Sequence, residues 1–237
     1  MVHDPAVSAT LDHVLADIAD SRNYNEWLFS RARTLLGGRV LDAGAGIGTF
    51  TALAAATGAQ VTALEPDPAF VSHLRERFAD NPRVSVVEAS AEAIPGLAGF
   101  DSVLCLNVLE HVHADEAALR GFHDALRPGG RLLLLVPAHP WLYGGYDRAA
   151  GHERRYGART LRGRLRSAGF DVETLRHVNP LGGLGWLVRV RLLRGDEWPS
   201  ASFRAFDRLV PAVRHLDRVR FRFGLSLWAI ARRPSDA

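Results

Sequence analysis

The chain has 237 residues, 47% hydrophobic and 23% charged, which suits one domain with a full core and excludes the disordered and fibrous classes. All 29 basic residues are arginine and the single cysteine is Cys105. That excludes a disulfide framework, a cysteine-based zinc site and any lysine nucleophile or base; no metal site is expected. The formal net charge of +3 is unevenly spread. Residues 1–147 carry 10 Arg against 18 Asp and Glu, whereas residues 148–237 carry 19 Arg against 8. A basic second half fits an anionic substrate, an acidic surface, or simply a solvated arginine-rich face. Met1 to Leu11 has one acid, Asp4, and no basic start, and no apolar run reaches the length of a membrane span. A cytoplasmic enzyme is the expectation.

Apolar spacing predicts helices over 7–19 and 23–36, the second with Trp27, Leu28, Ala32 and Leu35 on one side and Gly37-Gly38 closing it. Strand-like apolar runs follow at 39–42, 60–65, 84–88, 101–107 and 131–136, separated by helical stretches at 49–57, 68–78 and 114–126. Continuous apolar strands alternating with helices imply a parallel sheet covered on both faces. Gly129-Gly130 reads as a turn feeding the fifth strand. Residues 138–157 lack periodicity and are rich in Gly, His, Tyr and charge, so they read as a loop. A helix at 160–168 and a strand at 170–177 come next. Within an insertion over 178–222, residues 183–193 and 202–219 look helical and amphipathic. A final strand is expected at 224–231. Cys105, inside Val103-Leu104-Cys105-Leu106, reads as a buried inert thiol.

The stretch most informative about chemistry is Asp42-Ala43-Gly44-Ala45-Gly46-Ile47-Gly48, after the first strand. Glycines between a strand and a helix let a ligand approach the backbone. A dinucleotide fingerprint spaces them G-x-G-x-x-G and sets a pyrophosphate on the helix N-terminus. Here the spacing is G-x-G-x-G, and an acid stands two residues before the first glycine. A carboxylate there repels a pyrophosphate and attracts a cation. An adenosine cofactor with an ammonium, a sulfonium and no phosphate matches, which describes S-adenosylmethionine.

The Asp42–Gly48 stretch resembles the first motif of the class I S-adenosylmethionine-dependent methyltransferases. Glu65-Pro66-Asp67 resembles their acidic second motif, where Glu65 would accept the ribose hydroxyls. The segment from Glu88 to Pro95 resembles the third motif, at the adenine. Many relatives place an aspartate where this chain has Ser90, so Ser90 or the Ala91 backbone would take that role. The run from Phe100 to Val112 resembles the fourth motif: Asn107 would lie beside the methionine moiety, and Leu109 and His111 near the methyl donor, with His111 also readable as a supporting helix residue. Leu126-Arg127-Pro128-Gly129-Gly130 resembles the family's turn before the fifth strand. Near the N-terminus Tyr24, and after it Arg22, are candidates for contacting the cofactor's carboxylate, with Trp27 in the core.

The resemblance implies a single α/β domain over 1–237: a seven-stranded, mostly parallel, doubly wound sheet with a helical insertion before the last strand. Its parts would be N-terminal helices over the cofactor (1–38), a cofactor-binding core (39–137), a substrate loop (138–157) and a cap (178–222). The loop after the fifth strand would overhang the methyl group. It carries His139, Tyr143, Asp147, His152, Arg155 and Tyr156, and its Gly-His-Glu-Arg-Arg-Tyr segment resembles methyltransferases of natural-product and glycan pathways. A histidine suits base work near neutrality, so His152 is the first catalytic candidate and His139 the second, with Tyr143, Asp147, Arg155 and Tyr156 as substrate contacts. The expected reaction is methyl transfer to a small molecule, anionic or apolar, at oxygen ahead of carbon or nitrogen. A nicotinamide oxidoreductase and a non-catalytic or RNA-binding relative are the competing classes. No nucleic-acid partner is expected, and a monomer and a homodimer both remain open.

Overall fold

A computed structural model describes residues 21–94, 96–189, 200–219 and 221–235. The helix expected over 7–19 and cap positions 190–193 lie outside them. Seven strands form one sheet: β1 (Arg39–Ala43), β2 (Gln60–Glu65), β3 (Val84–Glu88), β4 (Phe100–Leu106), β5 (Leu126–Pro137), β6 (Asp171–Val178) and β7 (Ser226–Arg232). Their spatial order is β3-β2-β1-β4-β5-β7-β6. All neighbours pair in parallel except β7, which runs antiparallel to both β5 and β6. The helices are α1 (Arg22–Arg33), α2 (Thr49–Ala55), α3 (Pro68–Arg77), α4 (Asp115–Ala125), α5 (Gly145–Ala149), α6 (Ala158–Ser167), α7 (Pro180–Val188) and α8 (Ser200–Val213). The chain winds outward from β1 to β3 and then returns to β4, so a crevice opens beyond the C-terminal ends of β1 and β4.

Alternation along the central strands sorts the core into two layers. Leu104, Leu106, Leu133 and Leu135 face Leu28, Phe29 and Ala32 of α1 and Ala54 and Ala55 of α2. Val103, Cys105, Leu132 and Leu134 face Leu119 and Phe122 of α4 and Leu161 and Leu165 of α6. Both sheet faces are dry, which is why these strands carry no polar alternation. Cys105 is fully buried and burial pushes its thiol well above the usual range, as befits a packing residue. Trp27 is buried with the Arg31 guanidinium stacked over its ring.

Three local expectations change. Residues 138–157 are not loop throughout, since Gly145–Ala149 forms α5. Gly129-Gly130 is not a turn ahead of the fifth strand: β5 already begins at Leu126, pairs Leu126 with Phe100, and resumes at Arg131 with Ser102. The intervening residues bulge, held by Gly129 N–H donating to Arg233 O and Arg233 N–H donating to Gly130 O. The first cap helix starts at Pro180 rather than 183, because the Asn179 side chain accepts from Gly182 N (2.8 Å) and Pro180 suits the first helical position.

Leu104 lies in the central strand with no exposed surface. Leu104→Ala is expected to cost about 3–4 kcal/mol, read as a lower urea midpoint at unchanged slope; a loss under about 1 kcal/mol would show that α1 settles into the space.

Candidate active site

A cavity of about 290 Å³ occupies the crevice. Its floor is the glycine turn after β1. Gly44 adopts φ +72° and Gly48 φ +84°, a region that disfavours side chains. A Cβ on Gly44 would also come within 2.6 Å of the Val108 methyls. Gly44 and Ala45 N–H both donate to Leu64 O (2.8 and 3.0 Å), so β2 holds the turn in place. Opposite it, Asn107 follows β4 at φ +56° and lines the same space.

The acids of the glycine region do not all face the cavity. Asp42 is buried beneath the turn and accepts the Thr51 hydroxyl (2.6 Å) at the start of α2. Burial pushes its carboxyl up to about 6, against the Thr51 hydrogen bond and helped by the nearby Glu65 charge. It therefore stands behind the backbone that the ligand would meet. Glu65 ends β2 and accepts from Gly46 N (2.7 Å) and Asp67 N (3.1 Å). Burial raises its carboxyl too, opposed by those two hydrogen bonds. Pro66 is exposed beside it. Ser90 O accepts from Ala93 N in a turn after β3, and Ala91 packs into the core. Of the predicted cofactor contacts, Tyr24, Gly44, Gly46 and Asn107 line the cavity, and Asp42, Glu65, Pro66, Ser90 and Ala91 are not part of its wall.

The roof comes from α1, α7, α8 and the loop after β5. Tyr24 is held in α1 by its N–H donating to Asp207 Oδ1 of α8 (2.8 Å), and Asn23 Nδ2 donates to Asp207 Oδ2 (3.0 Å). The residue preceding α1, Ser21, offers no side-chain cap, so a carboxylate from a remote helix does that work. Burial raises the Tyr24 hydroxyl, against a hydrogen bond with the Asn179 side chain.

Asp147 organises the loop. It has no exposed surface and accepts from Gly144 N (2.9 Å), Arg155 Nε (2.8 and 2.9 Å) and His152 Nδ1 (2.8 Å). Burial alone would raise its carboxyl, but His152, Arg155 and Gly144 outweigh burial and hold it below the usual range. The Arg155 guanidinium then stacks over Trp186 of α7 at 4.3 Å. His152 and Arg155 line the cavity. Tyr143 donates its hydroxyl to His152 O (2.7 Å), and the buried Tyr156 places its hydroxyl 2.8 Å from Asp115 Oδ2 and 3.1 Å from Leu109 O. Those two tyrosines and Asp147 brace the loop from outside the cavity wall. His139 is also off the wall, stacked on His177 and Phe223 with centroids 4.9 Å from each, and burial lowers its pKa.

Sequence reasoning missed several wall residues, above all Glu110, along with Phe50, Tyr146 and Asn179. Glu110 is only 1% exposed and neither carboxylate oxygen has a hydrogen-bond partner. Burial pushes it up to about 7, with His152 and Arg155 opposing. Its neighbour His111 is lowered to about 4 by burial and by His152, against a hydrogen bond from Nδ1 to Gly151 O (3.2 Å). An acid in the otherwise apolar run Val108-Leu109-Glu110-His111-Val112 was the available signal.

A glycine turn backed by Asp42 and Glu65, facing a wall with Glu110, suits a cationic adenosine cofactor better than a pyrophosphate. The comparisons agree. A model of the "Methyltransferase domain" family matches residues 11–175. The chain belongs to the class I S-adenosylmethionine-dependent methyltransferases. Over 105 residues, 42% of this methyltransferase, it is 40% identical to a "Ubiquinone biosynthesis O-methyltransferase" of Xanthomonas euvesicatoria pv. vesicatoria. A protein of that name from Xanthomonas oryzae pv. oryzae is 39% identical over 105 residues. The match covers 43% of the length of each of these curated relatives. Among solved structures, an S-adenosylmethionine dependent methyltransferase from Mesorhizobium loti superposes with a TM-score of 0.62 at 20% identity, over 88% of this chain and 98% of its own. The cyclase SpnF superposes at 0.61 with 20% identity, over 91% and 81%. These last two are likenesses of fold, which hosts more than one chemistry. Among the described residues no helix is long and apolar enough to cross a membrane.

The raised Asp42 carboxyl makes the folded state disfavour its charge. That penalty is absent well below the unfolded pKa near 4, grows as pH rises through about 6, and is complete above it. Asp42→Asn, which still accepts from Thr51, is expected to stabilise the ligand-free protein at pH 8 by about 1–3 kcal/mol and by almost nothing at pH 4. Chemical denaturation of both proteins at the two pH values measures this.

Proposed function

We propose that this methyltransferase moves a methyl group from S-adenosylmethionine to a hydroxyl oxygen of a small secondary metabolite in the cytoplasm, with His152 taking the hydroxyl proton. The observation that carries the reading is His152 on the cavity wall, backed from behind by its hydrogen bond to the buried Asp147. The hydrogen bond assigns the proton of His152 to Nδ1 and leaves a lone pair on Nε2. Asp147 fixes that tautomer, and Arg155 and Gly144 keep Asp147 ionised and immobile.

Tyr24, Gly44, Gly46 and Asn107 would hold the methionine end of the cofactor, Glu65 the ribose, and Ser90 with the Ala91 backbone the adenine. The bound cofactor supplies a methyl carbon on a cationic sulfur. The chain's own part is to align an acceptor beneath α7 and α8, exclude water with Trp186, Phe206 and Tyr146, and receive a proton at His152. Alignment accounts for much of such a rate, and a positioned base adds about 10²–10⁴-fold. The O-methyltransferase names of the Xanthomonas relatives support oxygen as the acceptor atom. The apolar rings of the roof, with the Arg155 guanidinium among them, favour an acceptor with a flat apolar body and partial negative charge.

His152→Ala is expected to lower turnover by about 10²-fold or more while S-adenosylhomocysteine affinity, measured by calorimetry, changes little. Wild-type turnover in that variant would remove His152 from its role, and binding of NAD in place of S-adenosylhomocysteine would overturn the reaction class.

A further inference from the structure

Beyond β6 the cavity wall holds one polar side chain whose atoms are nearly all spoken for. Asn179 has φ +59°, is 2% exposed and lines the cavity. Its N–H donates to Asp217 Oδ1 (3.0 Å), and Asp217 is itself paired with Arg31 of α1. Its carbonyl accepts from Gly183 N and Leu225 N (3.0 Å each), and its Oδ1 accepts from Gly182 N (2.8 Å). That last bond settles which way the amide points, because only the oxygen can accept. Position 182 has to stay bare for it, since a Cβ there would stand 2.4 Å from Nδ2. What remains is Nδ2, buried and without a hydrogen-bond partner. The Tyr24 hydroxyl feels this amide, but the contact falls short of an ordinary hydrogen bond.

We infer that Asn179 is a specificity-determining residue whose amide donates to a carbonyl or carboxylate oxygen on the methyl acceptor, remote from the hydroxyl that is methylated. Capping α7 uses only Oδ1, so the amide nitrogen is surplus to that role and costly to bury unmet. The side chain cannot turn it elsewhere, because the bonds to Asp217, Gly182, Gly183 and Leu225 hold both backbone and amide. An oxygen brought by a ligand removes the cost, and a donor already fixed in place loses little freedom in binding it.

Position argues for the acceptor rather than the cofactor. β6 lies three strands from β4, about 14 Å at the usual strand spacing, and the glycine turn after β1 is one strand further. Asn179 therefore serves the end of the cavity away from that turn. The walls around it are apolar, from Leu181, Trp186, Phe206 and Leu225. One oriented polar group in an apolar wall is the arrangement by which small-molecule sites select their ligand. A site built to hydrogen-bond a ligand group rejects the analogue that lacks it. The inference rests on the methyl transfer proposed above for calling this occupant the methyl acceptor.

The test is calorimetric binding of 4-hydroxyacetophenone, 4-hydroxybenzoate and 4-ethylphenol to protein saturated with S-adenosylhomocysteine. All three are flat phenols, and only the first two carry the second oxygen. The wild type is expected to bind each of those two about tenfold or more tighter than the third. Asn179→Asp keeps the cap oxygen and replaces the donor with an acceptor, so a merely structural Asn179 would leave the preference in place. The preference is expected to vanish for the ketone and to reverse for the carboxylate. Asn179→Gly, which suits the left-handed backbone and removes the amide, is expected to bind all three alike and serves if the aspartate variant does not fold. Both variants should bind S-adenosylhomocysteine and 5′-methylthioadenosine, which lacks the amino-acid part, as the wild type does. Loss of affinity for S-adenosylhomocysteine alone would assign the amide to the cofactor's carboxylate and overturn the inference. So would no saturable probe binding, equal binding of the three probes by the wild type, or an undiminished preference in a folded variant. None of these measurements needs turnover. Their failure therefore leaves the proposed methyl transfer standing, and wild-type turnover in His152→Ala leaves the Asn179 preference standing.

Discussion

A fully buried carboxylate holds the reactive wall together. Asp147 is ringed by a backbone N–H, a guanidinium and an imidazole, and a charge at that depth is tolerable only with all of them present. Each partner passes the constraint on. Arg155 carries it to Trp186 in the cap, and His152 carries it to the cavity and to the ring of His111. A loop without regular periodicity thereby acquires a rigid geometry, and removal of any partner would leave an uncompensated charge in the interior.

The sheet supplies the other half of the site by topology. Parallel strands whose order reverses between β1 and β4 must leave their C-terminal ends open, and the glycine turn uses that opening to present bare backbone. Behind the turn, Asp42 and Glu65 are spent on Thr51 and on Gly46 and Asp67. They shape the turn and set its field. Across the cavity, the two carboxylate oxygens of Glu110 are buried without a hydrogen-bond partner.

Most of the sheet was legible in the sequence because strand runs and the α/β alternation are local patterns. The ranges 60–65 and 84–88 coincide with β2 and β3. What escaped depended on partners far along the chain. Pro128-Gly129-Gly130 has the composition of a turn, and only pairing with Arg233 makes it a bulge. Spacing placed Asp42 next to the glycines but carried no information on side-chain direction, so its burial under Thr51 was invisible. His139 and His152 look alike in the sequence. One stacks among His177 and Phe223 and the other meets Asp147, contacts no local pattern encodes. Glu110 hid inside an apolar run for the same reason.

The cap that α8 supplies to α1 has a thermodynamic consequence. Asp207 satisfies the first turn of the helix that carries Tyr24, and Phe206 beside it lines the roof over the acceptor space. Moving α8 away from the cavity exposes N–H groups at the start of α1 and loosens Tyr24 at the same time. Whatever free energy one ligand gains by settling α8 is therefore shared with the ligand that touches Tyr24, and the exchange is equal in both directions. Two ligands that touch Tyr24 and Phe206 separately would be coupled through a single aspartate.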